Sequence, residues 1–169
     1  GDKAKLRWVF YGGNGRHLVG DFDGKSFKAE AGPQILHHGN AFYASQTYNE
    51  APDGRRIVVG WGQVELPGMP FNQMMTFPAE LTLHSTPEGP RLFALPIREV
   101  ANLYGKRHPF TSELTPDKAP LAGLKGDLFD IEAEFELQGA TQVGLHVRGI
   151  PVTYSVPAKR LLCLGCSAP

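Results

Sequence analysis

The sequence predicts an all-β protein, and three observations carry that expectation. Short runs rich in aromatic and β-branched residues recur at the spacing of about eight to twelve residues typical of sandwiches, barrels and propellers. Turn signals separate them, with 20 glycines and 14 prolines spread through 169 residues rather than gathered in one tract. A late segment, DIEAEFEL, alternates acidic and apolar side chains with the period of a strand that has one wet face.

Taken in order, LRWVFY (6–11) is closed by a Gly-Gly-Asn-Gly turn, and RHLVGDF (16–22) by Asp23-Gly24. Run, turn, run, turn is the signature of a β-meander. KSFK (25–28) reads as a short edge strand, and QIL (34–36) leads into the stretch that organises the chain, residues 37–83. There AFYASQTY (41–48) and RRIVVGW (55–61) form two strands about Ala51-Pro52-Asp53-Gly54, where Pro fixes the first corner and Gly supplies a positive φ. The loop LPGMPFN and a third run, MMTFPAELTL (74–83), follow. RLFAL (91–95) is a further strand, and residues 97–103 predict one or two helical turns.

Residues 104–125 are polar and carry three prolines, as in a linker or a draped loop. Beyond them DLFDIEAEFEL (127–137) is expected to pair with TQVGLHV (141–147), followed by VTYSV (152–156) and RLLCL (160–164). Four strands of one sheet cannot bury their own apolar face, so this second region reads as the opening of a β-sandwich that stops in mid-pattern.

Seventeen basic and seventeen acidic residues cancel, so charge points neither to nucleic acid nor to an anionic membrane as partner. No apolar run approaches the roughly 20 residues that span a bilayer. The amino-terminal GDKAKLRWVF lacks the regions of a signal peptide, and the compartment stays open.

Chemistry is sparse. Asp21 and Asp23 in GDFDG resemble a carboxylate pair or a calcium loop, but the acidic ladder of an EF-hand is missing and turns favour Asp at these places. His37 and His38 are adjacent, so on a strand they face opposite ways and cannot serve one ion. The other histidines are scattered, and HExxH, GxSxG and P-loop patterns are absent. Cys163 and Cys166 form CLGC without the further ligands of a zinc site or a thioredoxin-like context, and read as two ordinary thiols. No metal or cofactor is expected. Tyr43 and Trp61 are the sharper candidates: Trp61 stands between two glycines at a strand end, beside Gln63, a common way to line a polar cleft. Against that stands core filling, the usual fate of strand aromatics. Met69, Met74 and Met75 are read as packing. Such a surface suits a sugar better than a metal or a phosphate.

The series WVFYGGNGRHLVGDFDGKSF, HHGNAFYASQTYNEAPDGRRIVVGWGQ, PGMPFNQMMTFPAELTL and RLFALPIREV resembles glycoside hydrolase family 32, the invertases, levanases, inulinases and related β-fructosidases. FYASQT, GRRI-x-x-GW and FPAELTL stand in family order and spacing. The resemblance implies an incomplete five-bladed β-propeller, its last two blades in residues 1–105, a linker over 106–124, and the first strands of a C-terminal β-sandwich over 125–169. It implies retaining hydrolysis of β-fructosidic bonds in levan, inulin or sucrose by an Asp nucleophile and a Glu acid/base. The family motifs that carry these groups, W-x-N-D-P-N-G, R-D-P and E-C, do not occur here. The chain is therefore expected to hold no catalytic residue, to be inactive alone, and to have the missing N-terminal blades of the same protein as its partner. A secreted or periplasmic setting follows from the family.

What carries over is a sugar-lining set. Tyr43 and Trp61 match positions near the fructosyl pocket. His37 stands where many members have Asp, a place associated with substrate selection, and Asn40 where others have Lys or another polar residue. His37 turns the expectation from sucrose towards fructans. A non-catalytic carbohydrate-binding β-module using Tyr43, Trp61, Asn40 and Gln63 is the second reading.

Overall fold

The computed structural model describes residues 6–115 and 118–169; GDKAK at the amino end and residues 116–117 of the expected linker lie outside the described residues. The described chain forms three antiparallel sheets and two short 3₁₀ turns.

The first sheet is the predicted meander. β1 (Trp8–Tyr11) pairs with β2 (Arg16–Phe22), and the far edge of β2 is covered by β3 (Phe27–Ala29) and then β4 (Gln34–Ile35). Within GDFDG, Asp23 is turn chemistry, as expected, whereas Asp21 lies in β2. Asp23 Oδ1 accepts from the amides of Ser26 (2.7 Å) and Lys25 (2.8 Å), and those amides, Ser26's first, hold its carboxyl below the usual range. Asp21 instead pairs with the Arg7 guanidinium at 2.8 Å.

The second sheet contains the organising stretch: β5 (Phe42–Thr47), β6 (Ile57–Gly62), β7 (Met74–Met75), β8 (Ala79–Thr86) and β9 (Gly89–Pro96). β7 and β8 both lie along β6, opposite Trp61–Gly62 and Ile57–Val58 respectively. The predicted third run is thus one column broken at Thr76-Phe77-Pro78. Pro78 has no N–H to give the ladder. Thr76 bridges the break, its amide donating to Gly60 O at 2.9 Å and its Oγ1 accepting from Gly60 N at 3.0 Å. Four antiparallel columns in chain order make the shape of one propeller blade.

Val19, Ile57 and Val58 are the buried apolar residues among those described, with Val58 fully enclosed. A side chain of this size contributes about 1.5–3 kcal/mol when buried. The expected turn at 51–54 is present as a 3₁₀ turn, Pro52–Gly54, with Asp53 at φ 62° as well as Gly54 at φ 66°. An ion network then ties the turns to the sheet. Arg55, its side chain 8 % exposed, reaches Glu80 at 2.9 Å and grips Glu99 with both terminal nitrogens at 2.6 and 2.9 Å. Arg98 reaches Asp53 at 2.8 Å.

The Arg55 guanidinium holds the Glu99 carboxyl down at about 2. A carboxylate depressed in the folded state stabilises above its unfolded pKa and loses that contribution as pH falls towards the folded one. Urea midpoints should therefore decline between the ordinary Glu range and about 2, and Glu99→Gln should flatten that acid limb. An unchanged limb would remove Glu99 from the account.

The predicted helical turns appear as 3₁₀ structure at Arg98–Leu103. The next expectation fails. Residues 127–137 alternate as a strand should, yet they join no ladder among the described residues. β10 (Gln142–Val147) pairs instead with β11 (Ile150–Ser155), and the sheet continues through β12 (Arg160–Cys163) to β13 (Cys166–Ala168). Alternation sets two faces but supplies no partner for the backbone. Here Asp130 is held by the Tyr104 hydroxyl, which donates to its Oδ2 at 2.9 Å, and residues 130–132 line a cavity with Pro96, Ile97 and Ala101.

Candidate functional site

The site lies where β5, β6 and β7 run side by side. Tyr43 is directly opposite Trp61, and Trp61 is directly opposite Met75. Directly opposed strand residues project to the same face, so the three side chains form one row across three strands. All are open to solvent: Tyr43 is 48 % exposed, Trp61 38 % and Met75 60 %. The Tyr43 and Trp61 rings lie 6.4 Å apart, tilted by 58°, within the range of interacting aromatic pairs. Neither ring is enclosed within the described chain.

A β-bulge shapes the row. Tyr43 opposes Trp61 and Gln46 opposes Val59, so Ala44 and Ser45 stand against Gly60 alone. Ala44 takes φ 45°, in the left-handed region. A bulge adds twist and re-aims side chains, and commonly sits beside binding sites.

The glycines flanking Trp61 serve the opposite face. A Cβ on Gly60 would fall 2.3 Å from the Phe42 ring, so the ring lies flat on bare backbone. His37 stacks on the other side of Phe42, with ring centroids 3.6 Å apart and planes at 15°. Successive strand residues point to opposite faces, which puts His37 and Phe42 behind the sheet from Tyr43 and Trp61. Burial, and next the neighbouring His38, push the His37 pKa down, so it is neutral at physiological pH. Asn40 and Gln63 are exposed at the same end of the sheet, where the Gln63 backbone N–H donates to Ala41 O at 2.7 Å.

The predicted set is thus divided. Tyr43 and Trp61 come together, Asn40 stands in the turn before β5, and His37 supports Phe42 from behind. Met75 joins the row by register, whereas the sequence reading assigns all three methionines to packing. Met69 and Met74 are exposed as well. The signal for Met75 is the register across β6, which spans a broken strand and is not written in local periodicity.

Between the first two sheets the polar groups of Tyr11, His17, Gln34 and Ser45 are buried. His17 is 2 % exposed, and burial pushes its pKa down. The Gln34 amide donates to Pro90 O at 3.2 Å and the Leu36 amide to Gly15 O at 3.0 Å. These contacts set the first sheet against the second and position the His37 loop. Among the described residues no group of three or more His, Cys, Asp or Glu could hold a metal ion.

Comparison with known proteins places this architecture. The sequence model of the Glycosyl hydrolases family 32 N-terminal domain matches residues 12–96, which hold the whole row. A levanase of Bacillus subtilis (strain 168) is 33% identical over 173 aligned residues, covering 88% of this chain and 25% of the levanase. A levanase of Bacillus sp. (strain L7) is 28% identical, covering 81% of this chain and 16% of that protein. The chain thus spans a quarter or less of the length of these relatives. A fructofuranosidase variant of Schwanniomyces occidentalis, solved in complex with fructosylnystose, shares the fold at a TM-score of 0.61. That match is 19% identical and covers 95% of this chain and 39% of the other. The chain belongs to glycosyl hydrolase family 32.

Proposed function

We propose that this chain is the sugar-facing part of a retaining β-fructosidase acting on fructans, and that it supplies binding rather than bond cleavage. The carrying observation is the solvent-facing row of Tyr43, Trp61 and Met75 on a family 32 sheet. A furanose ring presents C–H edges that pack on such an apolar row, while the Asn40 and Gln63 amides at its end match the sugar's hydroxyls. His37 acts through Phe42, fixing the turn that carries Asn40. The names of the relatives, levanase and fructofuranosidase, support a fructose-containing polymer or oligosaccharide as substrate.

Hydrolysis with retention needs two carboxyl groups about 5–5.5 Å apart, one as nucleophile and one as acid/base. The family motifs for them are not in this sequence, so both groups would come from preceding blades. In this reading residues 1–105 belong to the propeller, 106–124 connect, and 125–169 open the sandwich. Exposed Trp8 and Phe10 on β1 offer an apolar edge to such a neighbour.

The test has two arms. The purified chain is expected to release no fructose from levan, inulin or sucrose. A chimera of the Bacillus subtilis levanase in which this chain replaces the matching segment is expected to hydrolyse levan, and Trp61→Ala within it to raise KM. Fructose release by the chain alone would overturn the division of labour. A folded but inactive chimera would favour a non-catalytic carbohydrate-binding module.

A further inference from the structure

We propose that Cys163 and Cys166 form a reversible dithiol–disulfide couple, a redox modification site on the terminal hairpin of the third sheet. The sequence offers only a C-x-x-C pattern without context, whereas the structure supplies the context. β12 and β13 are antiparallel, and Cys163 is the direct cross-strand partner of Cys166. Leu164 and Gly165 join them with φ 47° and 77°. Positive φ at both central residues is the two-residue hairpin turn whose twist suits flanking strands.

Opposed strand residues send their side chains to one face with Cβ atoms about 4.5–5.5 Å apart, and their Cα spacing of about 4.5–5.5 Å falls within the range a disulfide accepts. The two sulfurs therefore share one side of the sheet, in the cross-strand row that also contains Leu145 and Val152. Both thiols are free and half-buried.

Two features favour redox exchange over the other uses of paired thiols. The row beside them is apolar, and among the described residues no group of three or more ligating side chains exists to complete a metal site. The loop enclosed is also very short, so the cross-link restricts the unfolded chain least, and a structural staple is not what it offers. Cβ atoms must close by about 0.7–1.7 Å to reach the mean disulfide spacing. A bond made under that strain is readily reduced, as in labile and regulatory disulfides.

The oxidant is a small-molecule disulfide such as oxidised glutathione. One cysteine, as thiolate, attacks a glutathione sulfur, forming a mixed disulfide and releasing one glutathione thiolate. The second cysteine, as thiolate, attacks the protein-side sulfur and expels the other. Two protein thiols are oxidised by two electrons, one glutathione disulfide is reduced to two thiols, and the protons follow the released thiolates.

The full chain would be equilibrated with glutathione at a series of oxidised-to-reduced ratios, quenched by alkylation and weighed intact. The expected product is a monomer lighter by two hydrogen atoms with neither thiol alkylated, restored by dithiothreitol. Cys163→Ser is expected to give only the glutathione adduct. Gly165→Val, which sets a β-branched residue at φ 77°, is expected to lower the closed-to-open ratio at least tenfold. Three results would each overturn the proposal: two alkylatable thiols at every ratio, closure unaffected by Gly165→Val, or one equivalent of zinc(II) shielding both thiols of the reduced chain.

Discussion

Replacing Trp61 with alanine should weaken fructan-oligosaccharide binding at least tenfold, about 1.4 kcal/mol. Trp61 is the centre of the row, with Tyr43 on one strand and Met75 on the other, so its loss splits the apolar surface into two separated pieces. Central aromatics flanked by weaker contacts carry most of the energy of a binding patch. Tyr43→Ala should cost nearly as much, because it removes the second ring of the pair 6.4 Å away. Met75→Ala should cost less, since a thioether makes fewer contacts than an indole. Trp8→Ala is the matched control: Trp8 is 57 % exposed, more than Trp61, but stands on β1 against Phe22. Equal losses for the two tryptophans in a titration would mean that exposed indole area, not the row, binds the sugar.

Gly60→Ala should destabilise the chain by about 2–3 kcal/mol, the upper range for overpacking. The added Cβ would lie 2.3–2.8 Å from three atoms of the Phe42 ring. The ring has nowhere to retreat, because His37 is stacked on its far side at 3.6 Å. Behind His37 stands Gly15, whose own Cβ would already touch the imidazole at 3.0 Å. The strain would pass from β6 through Phe42 and His37 into the first sheet. Phe42→Leu should recover much of the loss in the double variant while being destabilising alone. Strictly additive urea-unfolding free energies would show that the glycine is needed for something other than the ring.

Much of this was written in the chain. The meander of the first sheet, the strands at 41–48 and 55–61 and the turn between them follow from short apolar runs and Pro, Asp and Gly punctuation, which act locally. The glycines beside Trp61 pointed to a polar cleft in the sequence, whereas the structure gives Gly60 another use, a bare seat for the Phe42 ring. What depends on pairing was not legible. Met75 joins the site only because the broken column of β7 and β8 registers on β6. The alternation in residues 127–137 marks two faces only at its end, where Phe135 and Leu137 are more enclosed than Glu134 and Glu136; Ile131 and Ala133 are exposed, and the backbone found no ladder there. The Arg55 network joins residues 25 and 44 positions apart, beyond any periodicity. The opposed thiols likewise needed a register, not a motif.

The most direct test of the sugar-facing row is a titration of the full chain with levan oligosaccharides, followed by the two indole N–H resonances in NMR spectra. The account predicts that the Trp61 resonance shifts and saturates while that of Trp8 stays in place, and that the shift vanishes in Tyr43→Ala. A moving Trp8 signal beside an unmoved Trp61 signal would contradict it.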